Sequence, residues 1–378
     1  MSQQRHAEIA GAGIGGLAAA AALARRGWSV RVHERSPELR AIGAGIYIWE
    51  NGLRVLQALG AYDEATHGCH QGWVRETRDD ANRTVAVARW SAEPGRRVLS
   101  IARQQLLAAL ASAAVRAGAE LRFGSVATAA DPSGLIVLAG GEKVEADLVV
   151  AADGINSQLR DSVGLLKSRT RHADGCIRVL IPRTAEEAAT EEGQKYVEYW
   201  SGTRRILYTP CSKADLYLAL TALDTDEAAK AIPLRKAVWK TSFPHLAGLI
   251  DRIEDQGRWD VFETVRLHAW SKGRVAVLGD AAHAQAPNLG QGGGCALMNA
   301  LGLAVALDER ADVEEALHLW EKRERPLIEH TQRVSALYSR VTTLPPLVRA
   351  VVLWAAGRSR WAMAQRLKTA LHVSTGTT

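Results

Sequence analysis

Apolar and polar positions along the chain follow two distinct periods. Near the N-terminus, Ala7-Glu8-Ile9-Ala10 is followed by a glycine run and then by continuous Leu and Ala from Leu17 to Leu23. That order predicts a short strand, a tight turn and a buried helix. Ser29-Val30-Arg31-Val32-His33 predicts a second strand ending at Glu34. Two later Val-rich runs, Leu148-Val149-Val150-Ala151 and Val275-Ala276-Val277-Leu278, lack polar interruption and suit strands buried on both faces. Arg205 to Cys211 and Asp215 to Ala219 are apolar-rich runs separated by a polar turn, which predicts an antiparallel hairpin. With that turn symmetric about Lys213, odd positions oppose odd positions, so Arg205, Thr209 and Tyr217 project from one face. Arg178 interrupts another strand-like run, where a charge signals either an ion pair or an anion site. From Val313 onward apolar residues recur at helical spacing, and Pro345-Pro346 punctuates the region. The apolar and basic stretch from Leu347 to Leu371 is expected to pack on the body with its cationic face in solvent, with contact to a membrane as the alternative, and residues 374–378 to be loose.

Composition narrows the class. With 378 residues, 47% hydrophobic and 23% charged, the chain can build a sizeable core, and its length fits two domains or one domain carrying an insertion. Cys69, Cys176, Cys211 and Cys295 form no CxxC pair and are expected to be reduced thiols in a cytoplasmic protein. His67, Cys69 and His70 lie close together without a matching second cluster, so no metal site is expected. No run of 18 apolar residues occurs, and we expect no signal peptide, no membrane span and no stable membrane association. The 47 Lys and Arg are interleaved with 41 acids, for a net charge of +6. That excess fits an anionic cofactor or substrate, and no nucleic-acid partner is expected.

Gly11-Ala12-Gly13-Ile14-Gly15-Gly16 lies where strand meets helix, the setting in which a GxGxxG run binds a dinucleotide. Gly11 permits the turn, Gly13 lets a pyrophosphate approach the helix N-terminus, and Gly16 lets helix and strand pack closely. Glu34, 23 residues after Gly11, is positioned for an adenosine ribose. FAD and NAD present the same adenosine diphosphate, so these features leave both open. Two further signals follow the Val-rich runs: Asp153-Gly154 and Gly279-Asp280.

Together the three segments resemble those of the single-component flavoprotein aromatic hydroxylases. The resemblance implies an α/β fold: a Rossmann-like FAD-binding domain of the 4-hydroxybenzoate hydroxylase type, a sheet-rich substrate domain and a helical C-terminal tail. The expected boundaries are 1–72, 99–169 and 269–340 for the FAD domain, 73–98 and 170–268 for the substrate domain, and 341–378 for the tail. It further implies that Gly279 and Asp280 meet the ribityl chain and that Asp153 and Gly154 lie on the cofactor and reductant side. The glycine loop with Pro287, Gly290, Gly292 and Gly293 would flank the flavin, with Pro287 where oxygen reacts. Arg40, Ala41 and Arg103 join the cofactor set, as do Ile14, Gly15 and Arg35. His283 falls near the cofactor, in a structural or a proton-transfer role. NADH or NADPH would visit transiently as reductant, and O2 would be captured as a flavin hydroperoxide.

Segments from Ser36 to Leu56, Gly175 to Arg183 and Arg205 to Leu218 are similar to the pyridine-ring oxygenases of this family, which hydroxylate and open a hydroxypyridine carboxylate. By motif, Tyr47, Arg178, Arg205 and Tyr217 would line the pocket, the tyrosines orienting the ring and the arginines holding a carboxylate. One departure stands out: Arg75 falls where those oxygenases carry a pocket tyrosine, placing a permanent cation where a neutral phenol is usual. Trp49 and Trp73 are candidates for an aromatic wall. The expected activity is NAD(P)H-consuming monooxygenation of a small aromatic carboxylate with ring opening. Hydroxylation alone of a hydroxynicotinate or hydroxybenzoate, and a non-oxygenase flavin-binding protein, remain as alternatives. A monomer or a homo-oligomer is expected.

Overall fold

The computed structural model describes residues 4–39, 44–89, 95–254 and 257–377. Its organising element is the strand His6–Ala10, whose last four residues are buried and which has a parallel neighbour on each side, Ser29–Glu34 and Leu148–Ala151. Glu120–Phe123 and Val275–Val277 extend this parallel sheet outward, and Ser271–Lys272 closes one edge antiparallel. Burial on both faces explains why Leu148–Ala151 and Val275–Val277 are uninterrupted apolar runs. The helix Ile14–Ala24 is buried along its whole length and packs on the helices Arg103–Arg116 and Gly292–Glu309. An antiparallel meander of Ala127–Asp131, Leu135–Leu138 and Lys143–Glu145 adds Ala130, Ile136 and Leu138 to the same core.

A second, seven-stranded sheet runs in the order Trp259–Leu267, Leu166–Pro182, Asp215–Leu223, Arg204–Pro210, Tyr196–Ser201, Val74–Arg78, Thr84–Arg89. Its two faces differ as the period-two pattern requires. One carries Ile177, Val179, Val197, Ile206, Leu218 and Leu220 against Trp239, Phe243 and Ile250 of the covering helices. The other turns toward the first sheet and bears polar and charged side chains. The hairpin register pairs Thr209 with Tyr217 and Arg205 with Thr221, the symmetry about Lys213 that the sequence predicts. A small sheet of Gly45–Trp49, Val98–Ala102 and His70–Gln71 lies between the two. It touches the seven-stranded sheet closely, because a Cβ on Gly45 would fall 2.8 Å from the Tyr217 ring.

A helix of 30 residues, Val313–Thr342, is followed by Pro346–Arg358 and Arg360–Leu367, as helical spacing and Pro345-Pro346 suggest. The C-terminal region nevertheless departs from expectation in two ways. Its last residues are anchored rather than loose: Ser374 is buried, Thr375 donates to the Glu324 carboxylate at 3.0 Å, and Gly376 packs against Val305. The second departure concerns the apolar side chains of the two short helices. Leu347, Val351, Trp354 and Trp361 all face solvent along with Arg358 and Arg360, while Arg349 is buried. Among the described residues no helix is long and apolar enough to cross a membrane.

Candidate active site

A cavity of about 1230 Å³ runs from the glycine turn of the parallel sheet to the polar face of the seven-stranded sheet. At the first end, Gly11 has φ +100°, and a Cβ there would lie 2.4 Å from the Ala152 carbonyl oxygen. A Cβ on Gly16 would lie 2.0 Å from the Gly11 carbonyl oxygen. These two glycines serve close packing. Gly13 differs, since a Cβ there meets nothing within 4 Å and would point into open space. The helix that follows has no side-chain cap and no acid in its first turn, so its leading N–H groups remain available to an anion.

Glu34 ends the second strand with its carboxylate accepting from the Ala12 and Ser36 N–H groups, both at 2.9 Å. Each oxygen keeps a lone pair for a ribose hydroxyl. Ile14, Gly15 and Arg35 line the same end. Asp153 accepts from the Gln158 N–H at 2.9 Å through one oxygen, while its other oxygen is buried without a partner. Burial raises its pKa above the ordinary value. Gly154 and Gly279 both have positive φ and face open space. Arg160, which no sequence motif singles out, donates to the carbonyls of Ile155 and Ala281, both at 3.1 Å, and so ties the Asp153-Gly154 turn to the Gly279-Asp280 turn.

Midway, Pro287 and Gly290 ahead of the helix Gly292–Glu309, and Gly292 and Gly293 in its first turn, border the cavity, and this helix also lacks a side-chain cap. Arg103 and Asp280 line this stretch, and burial lowers the Arg103 pKa while Asp280 opposes the shift. An uncapped helix N-terminus, glycines facing open space and an orphaned buried carboxylate oxygen fit the pyrophosphate, ribityl and ring portions of FAD. Arg40 and Ala41 lie outside the described residues. His283 is not at the cavity. It is buried beside Trp270 with its Nε2 2.9 Å from the Asn299 side-chain nitrogen, and burial lowers its pKa to about 4.

At the far end Tyr47, Arg75, Arg178, Arg205 and Tyr217 come together, as the motifs suggest. The Tyr47 hydroxyl pairs with Thr209 Oγ1, its ring meets Tyr196 edge-on at 5.1 Å, and Gly290 of the glycine loop sits against it. Burial pushes the Tyr217 hydroxyl up to about 12 against the pull of the nearby Arg178. Trp49 borders the cavity, whereas Trp73 is half exposed and does not.

The arginines have partners that sequence reasoning does not reveal. Arg75 donates to Glu198 at 2.6 Å. Arg205 donates to Asp174 at 2.9 Å and to Glu198 at 3.3 Å. Arg178 donates to Asp260 at 3.2 Å. Burial disfavours the charged form of Glu198, but Arg75 and Arg205 outweigh it and hold its pKa below the usual range. Asp174 shifts the other way, because burial there outweighs Arg205. Arg366, from the tail helix, also lines this end, with its guanidinium 5.3 Å from the Tyr338 ring. It makes no ion pair among the described residues, and burial followed by the nearby Arg75 lowers its pKa. The only sequence signal for Glu198 is a lone acid in the apolar run from Tyr196 to Trp200.

Comparison with known proteins places this geometry in a family. A family profile described as "FAD binding domain" matches residues 5–331. A putative 2-heptyl-3-hydroxy-4(1H)-quinolone synthase of Rhodococcus erythropolis is 47% identical over 373 residues, covering 99% of this chain and 98% of that one. A 2-heptyl-3-hydroxy-4(1H)-quinolone synthase of Mycobacteroides abscessus is 43% identical, covering 94% and 95%. The tetrameric form of 2-methyl-3-hydroxypyridine-5-carboxylic acid oxygenase superposes with a TM-score of 0.89 at 38% identity, covering 98% of this chain and 97% of that one. The chain belongs to the FAD-binding-domain family of single-component flavin hydroxylases and is an FAD-dependent aromatic-ring monooxygenase that uses NAD(P)H and O2.

Proposed function

We propose that the chain hydroxylates an uncharged bicyclic heteroaromatic, a 2-alkyl-4(1H)-quinolone, at C3. The observation that carries this reading is the charge balance at the substrate end. Three carboxylates answer Arg75, Arg205 and Arg178 there, through Arg75–Glu198, Arg205–Asp174 and Arg178–Asp260, with Asp260 shared between Arg178 and Arg258. A substrate carboxylate would have to compete with these pairs, whereas a neutral ring leaves them intact. Leu207, Ala219, Val261 and Phe262 line the same end and offer apolar surface to an alkyl chain. The two quinolone synthases named above, at 43–47% identity over nearly whole chains, support the same substrate class.

In the balanced reaction, C3–H, O2, NAD(P)H and a proton give C3–OH, NAD(P)+ and water. FAD, when bound, supplies the activation of O2. C3 is nucleophilic because the ring nitrogen donates electron density through the double bond toward the 4-oxo group. Tyr47 and Tyr217 orient the ring, the charge of Arg178 acts on the nearby Tyr217 hydroxyl, and Arg366 donates to the 4-oxo oxygen as charge builds there. Glu198 neutralises Arg75 and Arg205. Gly11, Gly13, Ile14, Gly15, Gly16, Glu34 and Arg35 hold the adenosine half of the cofactor. Asp153, Gly154, Gly279, Asp280, Arg103 and the loop from Pro287 to Gly293 hold the flavin half and keep water from it. We take 73–98 and 170–268 as the substrate-binding domain.

The likeness to the pyridine-ring oxygenase, at 38% identity, favours a second reading: hydroxylation and opening of a hydroxypyridine carboxylate. One experiment separates the two. NADH consumption is followed with a 2-alkyl-4-quinolone, a hydroxypyridine carboxylate and 4-hydroxybenzoate in isotope-labelled O2. A single labelled oxygen on an intact quinolone supports the first reading. Two added oxygens with loss of ring absorbance from the pyridine would replace it with the second.

A further inference from the structure

The basic residues are interleaved with acids over most of the chain but not at its end. From His330 to Thr378 there are seven Lys and Arg and no Asp or Glu, which leaves 40 basic against 41 acidic residues in everything before. The net positive charge of the protein therefore resides in its last 49 residues. Of these cations, Arg349 is buried over the Trp200 ring and Arg366 lines the active-site cavity, while Arg333, Arg340, Arg358, Arg360 and Lys368 are exposed.

The same region holds the exposed apolar side chains noted above. Leu347 is 83% exposed, Val351 64%, Trp354 50% and Trp361 73%. Leu347, Val351 and Trp354 follow the i, i+4, i+7 spacing of one helix face. Arg358 stacks on Trp354 at 4.3 Å, so the cation lies directly against the apolar surface. Isolated exposed apolar residues need no explanation, but a contiguous set of this kind marks an interaction surface.

Charge decides what covers it. A second copy related by a two-fold axis would set this acid-free segment against itself, opposing like charges. A bilayer carrying anionic headgroups offers the opposite charge, with a boundary into which Leu, Val and Trp insert. We propose that the helices Pro346–Arg358 and Arg360–Leu367 form a reversible docking surface for an anionic lipid bilayer. The inference does not depend on which aromatic the enzyme oxidises. It does place the bilayer beside the cavity: Trp361 and Arg366 lie five residues apart in one helix, roughly 7.5 Å along its axis. The Arg366 carbonyl in turn accepts from Gln291 of the glycine loop at 2.8 Å.

The test uses the full FAD-loaded chain in flotation with phosphatidylcholine vesicles, either pure or with about one third phosphatidylglycerol. The protein is expected to float with the anionic vesicles and not with the neutral ones, and high salt should release it. Arg358→Gln and Arg360→Gln should each weaken partitioning about 5-fold. The double variant Leu347→Ser/Trp354→Ser should weaken it further with the circular dichroism spectrum and NADH oxidation unchanged, because both side chains are exposed. Failure to float with anionic vesicles would overturn the proposal. So would wild-type protein that forms an oligomer which the double variant dissociates, since the face would then join copies of this chain.

Discussion

Replacing Glu198 with Gln tests the charge balance on which the substrate assignment rests. In the native site this carboxylate lies 2.6 Å from Arg75 and 3.3 Å from Arg205, and its side chain is 13% exposed. Glu198→Gln leaves Arg75 with no ion pair, while Arg205 keeps Asp174 at 2.9 Å. The Coulomb attraction of two unit charges 2.6 Å apart is about 6 kcal/mol at an effective dielectric of 20. A charge-assisted hydrogen bond contributes about 1.5–3 kcal/mol net. Taking about 2 kcal/mol as the share that a substrate carboxylate recovers from the freed guanidinium, KM for an aromatic carboxylate should fall roughly 30-fold. KM for a neutral 2-alkyl-4-quinolone should change by less than about 3-fold, since no formal charge on it meets Arg75. The assay is NADH consumption with product quantified, run on wild type and variant with both substrates under saturating FAD. A thermal melt on each protein separates folding from binding, because breaking one arm of this network also costs stability. The reasoning is refuted if wild type already binds the carboxylate more tightly than the variant does, or if both KM values move together by the same factor.

Gly13→Ala should fold normally and lose at least about 10-fold in FAD affinity, because its methyl enters open space at the uncapped helix, whereas Gly16→Ala should fail to fold, its methyl lying 2.0 Å from a carbonyl oxygen; unaltered FAD content in Gly13→Ala would remove the pyrophosphate from that turn. Burial raises the Glu324 pKa from 4.5 to about 7, so the native state keeps a proton that the unfolded chain releases between those values. This stabilisation is full below the unfolded value and is lost as pH rises through the folded one, by up to about 3 kcal/mol. Glu324→Gln stays neutral throughout and should melt higher than wild type above neutral pH, and identical melting profiles against pH would contradict the assignment. Tyr217→Phe removes a hydroxyl that is protonated at neutral pH and lies near Arg178. It should raise KM about 5-fold, from roughly 1 kcal/mol, and increase hydrogen peroxide formed per NADH, while unchanged coupling would take Tyr217 away from the substrate.

The parts of the structure governed by short-range periodicity were legible in the sequence. The hairpin register follows from a turn symmetric about Lys213, so Arg205, Thr209 and Tyr217 on one face follow from counting alone. The strand, glycine turn and helix at the N-terminus follow from a change of period at Gly11. What stayed hidden depends on contacts between segments far apart in the chain. Glu198 reaches Arg75 because Tyr196–Ser201 pairs parallel with Val74–Arg78, across 123 residues of sequence. Arg178 meets Asp260 across the pairing of Leu166–Pro182 with Trp259–Leu267. Arg366 enters the cavity only because the tail folds back, held by Gln291 and His330. The same tertiary anchoring orders Ser374 to Gly376, where sequence position alone suggests a frayed end. These hidden contacts bear directly on function. An arginine in a sequence is a cation and invites an anionic substrate, but an arginine already bound to a carboxylate offers shape and hydrogen-bond donors with little net charge. With Arg75, Arg178 and Arg205 so paired, the proposal of a neutral heteroaromatic substrate draws on contacts that the sequence does not show.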